Sequence, residues 1–349
     1  MTGPGAGSAR PAADLLVAGS GPAGAATAIR AALAGLSVVV VEPRSAPIDK
    51  ACGEGISHTA VDYFTRLGVK LTGRPFHGIR YLDDGHQVDA RFRAGPGLGV
   101  RRTTLHQALT DRLAELGVPV VQTRVGAITQ NTTAVTAAGH TARYLAAADG
   151  LHSPIRRQLG LCRPGSTDVR RGLRQHFSVA PWTDLVEVYW SKLGEAYVTP
   201  VADDLVGVAI LTSARGTFDS HLDTFPALKR RLYGAPPAST VMGAGPLRQR
   251  VSGRVAGRVL LVGDAAGYVD ALTGEGIAVA LRTSAELVDC VRDDRPVDYE
   301  AAWRRVSWEC RLLTGSLLWA RNRSLLAPRI VPAAARLPGV YATIVNRLA

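Results

Sequence analysis

"DLLVAGSGPAGAATAIRAALAGLSVVVVE" (residues 14–42) carries the architecture of the chain. DLLVAG reads as a short buried strand, residues 22–35 as an alanine-rich helix ending at a glycine, and SVVVVE as a second apolar strand. Strand, tight turn, helix and strand within about 30 residues is the length of a βαβ unit. The turn is Gly19-Ser20-Gly21-Pro22-Ala23-Gly24, a G-x-G-x-x-G. Alone it would be weak evidence. Here it follows a strand, opens a helix and precedes Glu42 at the end of the next strand, the context that marks a dinucleotide site. Gly19 permits the turn, Gly21 lets a pyrophosphate approach the backbone, and Gly24 lets helix and strand pack closely. The helix start, with Pro22 and Ala23, offers free N–H groups to phosphate. Glu42 is placed to accept hydrogen bonds from the adenosine ribose. A glycine-rich helix start with no ligand is the competing reading. The loop does not distinguish NAD from FAD.

The chain has 349 residues, enough for a large core and two domains. Its net charge of +12 comes almost wholly from arginine, with four lysines in all. Such a balance suits an acidic partner. The arginines are scattered and form no patterned basic face, so no nucleic-acid partner is expected. Cys52, Cys162, Cys290 and Cys310 lie far apart, with no CxxC and no zinc spacing. A reducing cytoplasm is expected, and no metal. The N-terminal segment lacks the apolar region of a signal peptide. No apolar run reaches the ~20 residues of a membrane span.

Residues 103–116 read as an amphipathic helix with Leu105, Leu109, Leu113 and Leu116 on one face. Alternating segments from 118 to 150 predict several antiparallel strands. Short strands between 173 and 211 predict a second, mostly antiparallel sheet, joined by a hairpin at 76–95 that turns at "DDG". Residues 277–292 and 298 onward read as helices, the latter interrupted at Pro328, Pro332 and Pro338. The fold class is therefore α/β: a Rossmann-type dinucleotide-binding domain, an antiparallel substrate domain and C-terminal helices. The expected division is a flexible tail at 1–12, a discontinuous nucleotide domain at 13–75, 98–165 and 251–296, a substrate domain at 76–97 and 166–250, and a helical region at 297–349.

Three further stretches bear on the cofactor: "GRVLLVGDAAGYVDALTGEGI" (257–277), "AADGLHSPIRRQLG" (147–160) and "GVRRTTLHQAL" (99–109). With the first loop they resemble the motifs of the p-hydroxybenzoate hydroxylase-like flavoproteins, which include aromatic hydroxylases, epoxidases and geranylgeranyl reductases. The matches run from Gly19 to Ile277, most of the chain. The resemblance implies FAD, with NAD(P)H as a transient reductant. It places Gly263, Asp264 and Ala265 at the cofactor, Asp264 on a ribityl hydroxyl. It sets Gly274, Gly276 and Ile277 against the isoalloxazine, where a helix N-terminus favours anionic reduced flavin. Arg44 and Arg102 are candidates for phosphate or ribityl contacts, with Arg101 competing. Asp149 is expected between the cofactor and nicotinamide sites, or as a helix cap. Asp270 reads as a cap or a water-facing acid.

No second dinucleotide fingerprint follows; "GAGP" (243–246) lacks a third glycine and a preceding strand. Flavin would carry the chemistry, and the resemblance leaves two reactions open. One is monooxygenation of a hydrophobic phenolic, polyketide or polyene substrate through a flavin C4a-hydroperoxide. The other is geranylgeranyl reductase-like reduction of isoprenoid double bonds. "DALTGEGI", and Cys52 in "KACGEGIS", resemble the reductases and place Cys52 near the flavin. "FHGIRY" and "GVRRTTLHQAL" resemble polyketide-associated hydroxylases, and the balance is put on oxygenation. A flavin-containing RNA- or membrane-binding protein is the non-enzyme alternative. The histidines form no metal spacing and leave the general base unassigned. Trp182, Tyr189, Trp190 and Tyr197 either wall a pocket or pack a core. The leucine- and arginine-rich C-terminus either touches anionic lipid or packs on the FAD domain.

Overall fold

A computed structural model describes residues 12–164 and 169–348, and the side chains to 347. All but the last residue of the expected tail, and the expected boundary at 165/166, lie outside the described residues.

Strand β1 (Ala13–Ala18), helix α1 (Pro22–Leu33) and strand β2 (Val38–Val41) form the unit the sequence predicts. β1 is central, pairing in parallel with β2 on one side and with His140–Ala147 on the other. Val259–Leu261 extends the parallel array beyond His140–Ala147, and Val120–Val121 extends it beyond β2. Strands covered on both faces need apolar residues throughout. Leu15, Leu16 and Val17 are accordingly buried without remainder, each contributing about 1.5–3 kcal/mol. Helix α1 packs between Gly276–Arg292 and Arg102–Glu115. On the latter, Leu105, Leu109 and Leu113 turn inward as expected.

The antiparallel expectation for 118–150 holds only in part. Ile128–Gln130, Val135–Ala137 and His140–Ala147 form an antiparallel meander, yet His140–Ala147 is also a central parallel strand. Local alternation cannot report a partner more than a hundred residues away.

The second sheet has seven strands: Met242–Ala244, Arg171–Ser178, Leu205–Thr212, Gly194–Ala202, Val186–Trp190, Gly78–Leu82 and Gln87–Arg91 in spatial order. The hairpin turns at the expected place and joins by a parallel edge, Ile79 opposite Val186. The first two residues of "GAGP" end the strand Met242–Ala244, which pairs with Arg171–Ser178. Tyr189 and Trp182 join one core cluster, while Trp190 and Tyr197 join another. These aromatics therefore pack cores.

At the C-terminus, Tyr299–Arg321 packs on Gly276–Arg292, whereas Ile330–Arg336 and Pro338–Leu348 pack on the Gln87–Arg91 strand. The final helices thus cover the second sheet instead of the first. Pro332 interrupts nothing: it lies in the first turn of Ile330–Arg336, where its missing N–H costs no helical bond. The sequence reading did not identify the His58–Arg66 helix. No helix among the described residues is long and apolar enough to cross a membrane.

Candidate active site

The three glycines of the first loop separate by what a side chain would meet. A Cβ on Gly24 would lie 1.8 Å from the Gly19 carbonyl oxygen, and one on Gly19 would lie 2.5 Å from that of Ala148. Gly19 also has φ +105°, a left-handed conformation. The protein's own packing requires both. Gly21 differs: its nearest neighbour would be Arg102 Nη2 at 3.6 Å. Apart from its own chain neighbours, no other atom of the described residues lies within 4 Å of that point. Helix α1 starts there with Pro22 and without a side-chain cap, leaving its first N–H groups unclaimed. Arg102 is buried above it, and its Nε has no partner. Burial holds this guanidinium below its usual range, offset by Cys52 and Asp264. An uncapped helix start beneath a buried cation is a cradle for phosphate. Arg101 is not the side chain that reaches Gly21.

Glu42 follows its strand, buried and held by hydrogen bonds. Its Oε2 accepts from the Ser20 backbone N at 3.1 Å, and its Oε1 accepts from Arg44 Nε at 2.8 Å. Arg44 thus holds Glu42, with its own side chain half-exposed. Ser20 Oγ also lies 3.2 Å from His106 Nε2. Burial, then Arg102, pushes the His106 pKa down to about 4.

The late glycine stretch meets the early one. A Cβ on Gly263 (φ +63°) would lie 2.6 Å from Ala23 Cβ, and Ser284 Oγ donates to the Ala23 carbonyl. The loop Gly263–Ala266 is one short 3₁₀ turn, held by Arg156. That side chain donates to the carbonyls of Asp264 at 3.2 Å and Ala265 at 3.0 Å, and to Leu151 and Gln249. Burial raises the Asp264 carboxyl, while Lys50, Arg102 and Arg156 oppose the shift. Burial in turn depresses Lys50. Asp149 accepts from the Ile155 backbone N at 3.0 Å, a cap on the short helix that Ser153 also caps. Its other oxygen, Oδ1, is buried with no partner.

At the far end, Gly274 has φ +74° and open space where a side chain would stand. The helix Gly276–Arg292 then begins without a cap, its Ile277 half-buried against the core. Asp270 neither faces water nor merely caps. It is buried and pairs with Arg170 at 3.0 Å, which also pairs with Glu195 at 2.7 Å. The short apolar context of the sequence hides this network, since its members are up to a hundred residues apart.

Cys52 sits in the loop before Glu54, whose N–H donates to its sulfur at 3.4 Å. Burial raises its pKa, so it is a thiol at neutral pH. Glu54 takes φ +60° and is fully buried. Its Oε1 accepts from the Arg102 backbone N at 2.8 Å; its Oε2 lies 2.6 Å from His176 Nε2 on the second sheet. Arg174 lies beside it and donates to Asp49 and to the Lys50 carbonyl. Lys50, Glu54, Arg156, Arg174 and His176 were not among the expected site residues. Only Lys50, Glu54 and Arg156 lay in motifs already singled out. All four cysteines are free, and no cluster among the described residues could hold a metal ion.

Two uncapped helix starts, an open face on Gly21, an unspent donor on Arg102 and an unspent acceptor on Asp149 fit a dinucleotide bearing a pyrophosphate and sugar hydroxyls. The comparisons agree. A family model described as FAD binding domain matches residues 12–216. Menaquinone reductase of Mycolicibacterium smegmatis is 30% identical over 324 residues, covering 83% of this chain and 79% of that protein. Digeranylgeranylglycerophospholipid reductase 2 of Methanosphaera stadtmanae is 26% identical over 298 residues, covering 77% and 75%. Among solved structures, the flavin-dependent brominase Bmp2 matches with a TM-score of 0.79 at 16% identity, covering 96% of this chain and 93% of that one. That is a likeness of fold. The chain belongs to the FAD-binding domain family and is a FAD-dependent oxidoreductase.

Proposed function

We propose that the chain reduces carbon–carbon double bonds in an isoprenoid lipid with electrons from NAD(P)H. The similarity to menaquinone reductase, over most of both chains, carries this reading; the digeranylgeranyl lipid reductases support it. It moves the balance away from the oxygenation expected from the sequence. FAD, once reduced by NAD(P)H, would supply the hydride. Hydride and proton add across one double bond, and NAD(P)H leaves oxidised.

We assign the residues as follows. The Gly19–Gly24 loop and Arg102 bind the pyrophosphate, and Glu42, held by Ser20 and Arg44, takes the adenosine ribose. Asp264, between Gly263 and Ala265, binds the ribityl chain, with Lys50 balancing charge. Asp149 offers its free oxygen at the same cofactor. Gly274, Gly276 and Ile277 present bare backbone to the ring. Cys52, with its proton held by burial, is the proton donor to the carbon that takes no hydride. On this reading residues 13–75, 98–165 and 251–296 form the cofactor unit, and the second sheet faces the substrate.

The test is anaerobic turnover of a menaquinone or a geranylgeranyl lipid with the holoenzyme and NAD(P)H. Product heavier by two hydrogens supports the reading. Label from ¹⁸O₂ in the product of aerobic turnover would instead establish oxygenation. Cys52→Ala should still accept electrons from NAD(P)H while losing about a hundredfold in product formation, the lower end of the range for acid–base groups.

A further inference from the structure

The helix Tyr299–Arg321 is amphipathic in an unusual sense. Its inner face buries Trp303, Ser307, Thr314 and Leu318. The face opposite should be polar. At 3.6 residues per turn, however, Trp308, Leu312 and Trp319 fall within about 40° of one another on that outer face. They are 56%, 57% and 56% exposed. Beyond the helix, Leu325 is more exposed still, and Leu337, Val340 and Ile344 are exposed apolar residues just before and along the last helix. An Arg347–Glu309 ion pair joins the last helix to this one. Arg304 and Arg311 border the stripe on one side and Arg305 on the other, while Arg323 lies 4.0 Å over the Trp319 ring. From Tyr299 to the end there are eight arginines and two glutamates, half the net charge of the chain.

We propose that this outer face docks on an anionic lipid bilayer. Tryptophan rings favour the interface between headgroups and acyl chains. An apolar stripe bordered by arginine is the composition of a helix lying in that plane, and the arginines complement acidic headgroups. The inference goes beyond the redox reading and stands on the helix itself; vesicle binding is measured without substrate, so failure of either leaves the other intact.

The full-length holoenzyme is sedimented with vesicles of phosphatidylcholine, or of an equimolar mixture with phosphatidylglycerol. Binding to the anionic vesicles should exceed binding to the neutral ones by about tenfold or more, and weaken with added salt. The variant Trp308→Ser/Leu312→Ser/Trp319→Ser should lose that binding while keeping its flavin absorbance and melting temperature. Val297→Ser, more exposed but outside the stripe, should bind as the parent does. The proposal is overturned if the triple variant sediments like the parent, or if the parent ignores both vesicle types. It is also overturned if the stripe proves to join two copies, seen as a parent dimer that the triple variant splits.

Discussion

Gly21 and Gly24 differ by one question: whether the protein itself needs the missing methyl. Gly24 does, since its Cβ would overlap the Gly19 carbonyl. Gly24→Ala should therefore destabilise the apoprotein by several kcal/mol, as an overpacked backbone contact does. Gly21→Ala has room and should leave the apoprotein melting temperature within about 2 °C. FAD affinity should nevertheless fall by tenfold or more in titrations of flavin fluorescence. Equal FAD affinity in Gly21→Ala and parent would remove Gly21 from the pyrophosphate site. His106 offers a second test at one residue. Its folded pKa of about 4 lies below its ordinary value, so the folded state resists protonation. The stability it contributes is complete above about pH 6.5 and is lost as pH falls towards 4. At about 1.4 kcal/mol per pKa unit the loss approaches 3 kcal/mol. Melting temperatures of parent and His106→Gln should converge from pH 7 to pH 4; parallel curves would contradict the assignment.

At the scale of elements, legibility followed sequence distance. β1, α1 and β2 were readable because strand period, turn glycines and helix composition fall within one short window. The helix bearing Leu105, Leu109 and Leu113 was readable for the same reason. The role of Glu54 was not, because its partners come from two distant elements: the Arg102 N–H at the start of one helix, and His176 with Arg174 beside it on the second sheet. A buried glutamate in a left-handed conformation has no local signature. It supplies the helix Arg102–Glu115 with the cap its own Arg101 lacks, and so fixes Arg102 over Gly21. Glu54→Gln keeps the shape and removes the charge. It should weaken FAD binding about threefold to tenfold, since a hydrogen bond to a charged group is worth about 1.5–3 kcal/mol and the amide keeps part of it. The change should appear in flavin dissociation rates while far-UV circular dichroism stays unchanged. An unaltered flavin off-rate would mean that Arg102 is held without Glu54.

Across the whole molecule, one buried charge cluster ties the cofactor loop to the rest. Glu195, on a central strand of the second sheet, pairs with Arg170 and with Arg321 at the end of the long C-terminal helix. Arg170 also pairs with Asp270, in the loop that carries Asp264. Two cations and two acids balance, and Glu195 has no exposure to solvent. Removing one charge leaves a buried cation uncompensated, which costs about 3–5 kcal/mol. Glu195→Gln should therefore lower the unfolding free energy by that order in urea. Because Asp270 loses its fixed partner arrangement as well, FAD should dissociate faster from this variant. Replacing Glu195 and Arg321 together by methionine removes one charge of each sign and leaves Arg170 with Asp270. Buried ion pairs exchanged for apolar groups of similar volume are near neutral, so the double variant should regain most of the lost stability. A double variant no more stable than Glu195→Gln alone would show that packing around the long helix, and not this charge balance, holds the second sheet to the cofactor loop.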